Sequence, residues 1–91
     1  MTKAEIVQEI AVKTGIEKKV ALNIVEAFME TVKDSMAGGE EVFLRGFGSF
    51  IIKRRAAKTA RNISKNITVI VPEHNIPAFK PAKEFMESVK K

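Results

Sequence analysis

A chain of 91 residues, 45% hydrophobic and 30% charged with three prolines, has room for one small domain and is too apolar for a disordered tail. It has no cysteine, which excludes a disulfide framework or thiolate metal site and fits a reducing compartment. Its net charge of +5 is unevenly spread, −3 over residues 1–41 and +8 over 42–91, with no carboxylate between Glu41 and Glu73, so an acidic body and a surface for a polyanion are expected.

The opening segment, MTKAEIVQEI, carries Glu5 and lacks an unbroken apolar stretch, so no secretory signal is expected. No apolar run approaches the ~20 residues that span a bilayer. The expectation is a soluble, intracellular chain without membrane contact.

Thr2 and Glu5 have the spacing of a capping box. Ile6, Val7, Ile10 and Ala11 follow at helical intervals until Gly15 offers a stop, which predicts a first helix. A longer helix is predicted over Lys18 to Ala37, where Ala21, Val25, Phe28, Val32 and Met36 form one stripe that Leu22, Ile24 and Met29 widen. Gly38 and Gly39 end it. The next residues, EVFLRGFGSFIIKRR, change to short β-prone runs: Val42 to Arg45, a turn at Gly46-Phe47-Gly48, and a second strand from Ser49 through Ile52. A third run, Ile67 to Val71, stops at Pro72. After it, EHNIPAFKPAK looks too rich in proline for a regular element. Pro81 is placed to open a closing helix from Ala82 to about Lys90, with Phe85 and Val89 inward.

Between the strands lies IKRRAAKTARNISKN, Ile52 to Asn66, with six basic side chains and one isolated apolar residue near its end, Ile63. Continued as a strand, it would place Lys53, Arg55 and Arg61 on one face and Arg54 and Lys58 on the other. Neither face could be buried, because unpaired ions are far costlier inside a protein than in water. It would then project as an arm closed near Asn62–Asn66. Arg54, Lys58, Arg61 and Lys65 also fit a helical stripe, and Ala56, Ala57 and Ala60 favour helix, so a basic helix is the rival local reading. Without about 20 residues of arm, the body has ~70, where one core rarely contributes more than a few kcal/mol. Six phenylalanines and the wide stripe of the second helix offer more apolar surface than so small a monomer needs, which predicts dimerisation.

Catalysis has little support. The single histidine, His74, reads as a solvated loop residue, and no cysteine nucleophile, phosphate loop or H-E-x-x-H pair is present. The glycines of GFGSF read as turn residues. Lysines and arginines uninterrupted by acids suit phosphates, whose neutralisation releases counterions without sequence reading. Ile63 is then either an ordinary turn residue or an apolar wedge of the kind that opens a minor groove.

GFGSFIIKRRAAKTARNISKN, Gly46 to Asn66, resembles the signature of the bacterial histone-like DNA-binding proteins, the HU and integration host factor family. PAFKPAKEF resembles that family's closing segment, and MTKAEIVQEIA, EAFMETV and the paired glycines extend the likeness over the chain. The family is itself a standard example of minor-groove architectural binding. The resemblance implies an α+β intertwined dimer with a helical base of two N-terminal helices and a short C-terminal helix, a three-stranded antiparallel sheet and a protruding β-ribbon arm.

One domain, 1–91, is expected, with a helical dimerisation part at 1–39 and the sheet, an arm at about 53–72 and the last helix in 40–91. The resemblance implies double-stranded DNA as partner, bound and bent through the minor groove largely without sequence specificity, in the bacterial cytoplasm at the nucleoid. No enzyme activity, cofactor, metal or small-molecule substrate is implied.

Arg55, Lys58 and Arg61 match arm positions that touch DNA in the family, and Lys53 and Arg54 lie at the arm's root. Asn62 and Lys65 belong to the same set, and Lys3, Lys80 and Lys83 match flanking basic positions. Ile63 stands where the family usually has an intercalating proline. Val25, Phe28, Met29, Val32, Phe43, Phe47, Phe50 and Phe79 are the expected dimer core. Departures from the family pattern include Ala60 and Asn66 for glycines, Glu17 for a capping serine or threonine, and Met86 for a basic residue. Open alternatives are a heterodimer with a paralogue, a sequence-selective bender of the integration host factor type, an RNA-associated basic protein, and a structural oligomer with an incidental positive face.

Overall fold

The computed structural model describes the backbone of residues 1–62 and 67–90, and the side chains of residues 1–59 and 70–90. Helix α1, Lys3–Thr14, begins at Thr2, whose Oγ1 accepts the Glu5 N–H at 3.3 Å and donates to the Glu5 carboxylate at 3.3 Å. It ends at Gly15, whose φ of 74° lets its N–H reach the Ala11 carbonyl; a side chain at that φ would be strained. Helix α2, Lys18–Ala37, starts at Glu17, which caps nothing with its side chain. This is the weak cap that the sequence suggests. The two helices pack around Val7 and Ala21, the only fully buried apolar residues among those described.

Strands β1 (Val42–Leu44), β2 (Gly48–Arg55) and β5 (His74–Pro81) form an antiparallel sheet in the order β1-β2-β5. Strands β3 (Lys58–Asn62) and β4 (Ile67–Val71) form a separate antiparallel pair. A short α3, Lys83–Val89, closes the described chain. The turn before β2 is held by the Phe47 N–H on the Leu44 carbonyl at 3.0 Å, and the Phe47 carbonyl receives the Ala82 N–H at 2.9 Å, which fixes the start of α3.

Three sequence expectations require correction, and the rival reading of the basic segment fails. HNIPAFKP is not irregular but a full strand, β5, at the edge of the sheet. Its prolines, Pro77 and Pro81, lie opposite Ile52 and Gly48. Four residues apart on one strand, they turn their missing N–H groups the same way. The Ile52 N–H donates away from β5, to the Glu41 carboxylate at 2.8 Å, so Ile52 and Pro77 form a pair that exchanges no hydrogen bond. Both prolines therefore face the free edge, where they cost no ladder bond.

Pro81 ends β5 and does not open α3, whose N-cap is Ala82. Val89 is 65% exposed and not inward, although Phe85 is half-buried. The basic-helix reading fails at β3, where Lys58–Asn62 is extended and pairs with β4.

The ribbon formed by β2 with β5 continues into β3 with β4 without changing register. Arg55 faces His74, and pairing resumes three residues further out on each side with Lys58 facing Val71. Ala56, Ala57, Pro72 and Glu73 occupy the interruption, where a proline without an N–H removes a ladder donor. The radius of gyration is 18.6 Å and the long dimension 57 Å. A compact chain of this length would have a radius near ~12 Å. The ribbon therefore stands well away from the helices. No described helix is long and apolar enough to cross a membrane.

Candidate nucleic-acid interface

Alternation along β2 and β5 gives their ribbon two chemically different faces. One carries Phe50, Ile52 and Arg54 from β2 and Asn75, Pro77 and Phe79 from β5. It turns toward α2, where Phe28, Met29, Val32 and Met36 face Phe50, Ile52 and Pro77 across an open apolar groove of about 770 Å³. Toward the body this face ends in an aromatic cluster. Phe47 and Phe79 have ring centroids 5.2 Å apart, as do Phe47 and Phe85, and Phe50 and Phe79.

Gly48 permits that cluster: a Cβ there would stand 2.5 Å from Phe79 Cζ and 2.7 Å from the Lys80 carbonyl oxygen. Much apolar surface remains wet even so. Phe28 is 47% exposed, Met29 40%, Phe47 46% and Phe79 39%, whereas Val25, Val32 and Phe50 are half-buried. Phe43 lies apart from the groove, on the other face of the sheet opposite Ser49, and is largely exposed.

Toward the tip, the groove face carries Arg54, which is ion-paired with Glu73 across the ribbon. Both are half or more exposed, so the pair is screened by water, but it still occupies the guanidinium. The opposite face carries Ser49, Ile51, Lys53 and Arg55 from β2, and Lys80, Ala78, Ile76 and His74 across from them. Lys53, Arg55 and Lys80 are exposed, and among the described residues none has a carboxylate within salt-bridge distance. Lys58, at the start of β3, is exposed too. The cations on this face are therefore available to an external anion.

The remaining predicted positions separate into groups. Lys83 is exposed at the first residue of α3. Lys3, at the start of α1, is 3.5 Å from Glu26 of α2, a solvent-exposed pair that a phosphate could displace. Arg61 and Asn62 lie on β3 opposite Thr68 and Ile67, with side chains beyond the description. Ile63 and Lys65, the wedge and tip cation of the sequence reading, fall outside the described residues, as does closure of the arm. His74, read from the sequence as a loop residue because its segment looked too proline-rich for a strand, is the first residue of β5 and lies opposite Arg55. The period-two spacing of Ile76 and Ala78 is the signal that would have placed it on a strand.

A family profile described as bacterial DNA-binding protein matches residues 1–90. The chain belongs to that family. It is 38% identical to DNA-binding protein HU of Thermotoga maritima over 90 residues, covering 99% of this chain and 100% of the relative. It is 37% identical to the SPbeta prophage-derived DNA-binding protein HU 2 of Bacillus subtilis, with 99% and 98% covered. Among solved structures, HU in an Anabaena HU–DNA cocrystal matches with a TM-score of 0.94 at 37% identity, covering 99% of this chain and 98% of that one. HU from Thermotoga maritima matches at 0.69 and 31% identity, covering 99% and 100%. The membership covers the helices, the sheet and the ribbon together.

Proposed function

We propose that this chain is one half of a dimeric architectural protein that binds double-stranded DNA through the minor groove and bends it, largely without regard to sequence, to compact the bacterial nucleoid in the cytoplasm. The observation that carries this reading is the ribbon face bearing Lys53, Arg55 and Lys80 with no carboxylate within salt-bridge distance among the described residues, in a family described as bacterial DNA-binding protein.

A second copy completes the fold. With two fully buried apolar residues among those described, the chain has too little core of its own, and the groove beneath the sheet supplies the missing apolar contact. Residues 1–39 then form the dimerising base and 40–91 the sheet, arm and closing helix. Val25, Phe28, Met29, Val32 and Phe50 fit the contact around the groove, with Phe47 and Phe79 reaching it from the aromatic cluster. Phe43, on the opposite face, fits it less well.

Two ribbons, one from each copy, track the two sides of a duplex. Lys53, Arg55, Lys58, Arg61 and Lys65 neutralise phosphates, Asn62 contacts the groove, and Ile63 wedges between base steps. Lys3, Lys80 and Lys83 hold the flanking DNA once it bends. Arg54 contributes less, because Glu73 competes for it.

The test is binding to an arbitrary duplex across a salt series. If the dimer neutralises ~8 phosphates, the log-log slope is about −7. A flat response, or equal affinity for double-stranded RNA of the same length, would overturn the reading. Ile63→Ala should reduce the bend angle more than the affinity, because an apolar wedge acts on DNA shape.

A further inference from the structure

We infer that His74 is a proton-dependent phosphate contact at the root of the ribbon, engaging DNA in its charged form and releasing it when neutral. This rests on the DNA-binding reading above and adds a residue and a control variable to it. His74 opens β5 directly opposite Arg55, on the face that also carries Lys53 and Lys80. It is exposed.

The ring's hydrogen bonding decides which atom meets the phosphate. Nδ1 lies 2.9 Å from the Pro72 carbonyl oxygen. A carbonyl can only accept, so Nδ1 carries the proton and Nε2 of the neutral ring holds a lone pair. Among the described residues Nε2 has no protein partner. A neutral ring therefore offers a phosphate an acceptor, which repels it. A second proton adds at Nε2 and makes that atom a cationic donor, while the bond to Pro72 continues to orient the ring.

The surroundings do not supply a competing anion. Opposite His74 on β2 stands Arg55, with Lys53 diagonally placed on the same face. On its own strand the next residue is Asn75, and the preceding Glu73 is engaged by Arg54 on the other face. The charged groups around the ring are thus cations on its face and an ion-paired carboxylate behind it. An anion that satisfies the protonated ring has to come from outside the described chain, and a duplex held by Arg55 and Lys53 brings one.

The direction of the linkage follows. Protonation of the imidazole raises DNA affinity, and binding takes up protons by the same coupling. His74 is the sole histidine, so removing it removes the only imidazole that could couple protons to binding.

The experiment uses the full chain and an arbitrary 30-base-pair duplex, with salt series at pH 5.5 and 8.0 for the wild type, His74→Gln and His74→Lys. One new phosphate contact per subunit steepens the log-log salt slope of the dimer by about 1.8 at the lower pH. His74→Gln should remove that change and bind at both pH values like the wild type at pH 8.0. His74→Lys should keep the steeper slope at both. Equal pH responses in the wild type and His74→Gln would overturn the role of His74 while leaving DNA binding intact. Failure of all three proteins to bind duplex at pH 8.0 and low salt would overturn the underlying functional reading.

Discussion

The apolar groove between α2 and the sheet and the cationic face on the other side of the ribbon share strands β2 and β5, yet they require opposite partners. On the groove side Phe28, Met29, Val32, Phe50 and Ile52 need to lose water. On the other side Lys53, Arg55 and Lys80 are exposed, with no carboxylate within salt-bridge distance among the described residues, and on the proposed reading they meet phosphates. The groove side is a hydrophobic surface, whose association added salt does not screen. The cationic side is an electrostatic surface whose association falls steeply with salt. A single strand period of two thus gives one ribbon an apolar face and a cationic face, which the proposed function assigns to the second copy and to DNA.

The largest effect is expected from placing a charge in the groove. Phe28→Glu costs the isolated chain little, because Phe28 is already 47% exposed. In the dimer it would bury an unpaired carboxylate, at a cost of several kcal/mol. Each ~1.4 kcal/mol is a factor of ten, so dimer affinity should fall by more than about 100-fold. Sedimentation at micromolar concentration should show monomer, and cooperative thermal unfolding should be lost with it. A variant that still sediments as a dimer would show that the two copies meet elsewhere.

A smaller effect separates the two faces within the ribbon itself. Arg55 and Arg54 are adjacent in sequence, but Glu73 occupies only Arg54. Arg55→Ala should weaken binding on every duplex and reduce the salt slope by about 1.8 for the dimer. Arg54→Ala should cost less, because the arginine it removes was partly neutralised. Glu73→Gln removes that competitor and should raise affinity at low salt. The same loss for Arg54→Ala and Arg55→Ala, with no gain from Glu73→Gln, would mean that the ion pair does not distinguish the faces in solution.

How far the sequence anticipates this arrangement depends on how local each signal is. Thr2, Gly15 and the α2 stripe act through neighbours one or two turns away, so both helices could be read from spacing alone. The arm could be read because six cations without an acid have nowhere to go inside a small protein. Strand β5 could not, since its prolines are harmless only through their place at a sheet edge, which depends on pairing with residues 25 and 33 positions earlier. The distinction between Arg54 and Arg55 was likewise invisible, because Glu73 lies 19 residues from Arg54. His74 was misread for the same reason, its neighbour Arg55 being a neighbour only after the ribbon forms.

The smallest expected effect lies in the helical base and leaves both faces untouched. Thr2 caps α1 with its hydroxyl, whereas Glu17, in an extended conformation at the start of α2, makes no such bond. The first turn of α2 contains Lys18 and Lys19 and no acidic residue, an unfavourable distribution beside the positive end of the helix dipole. Glu17→Asp keeps the negative charge and shortens the side chain to a length that bonds the free N–H groups of that turn. It should add about 0.5–1 kcal/mol, close to the usual worth of a cap. For a domain of this size that raises Tm by roughly 2–8 °C. Thermal unfolding of the DNA-free protein measures it, and the salt slope of DNA binding should not move. An unchanged Tm would mean that water already satisfies those donors as well as a carboxylate would.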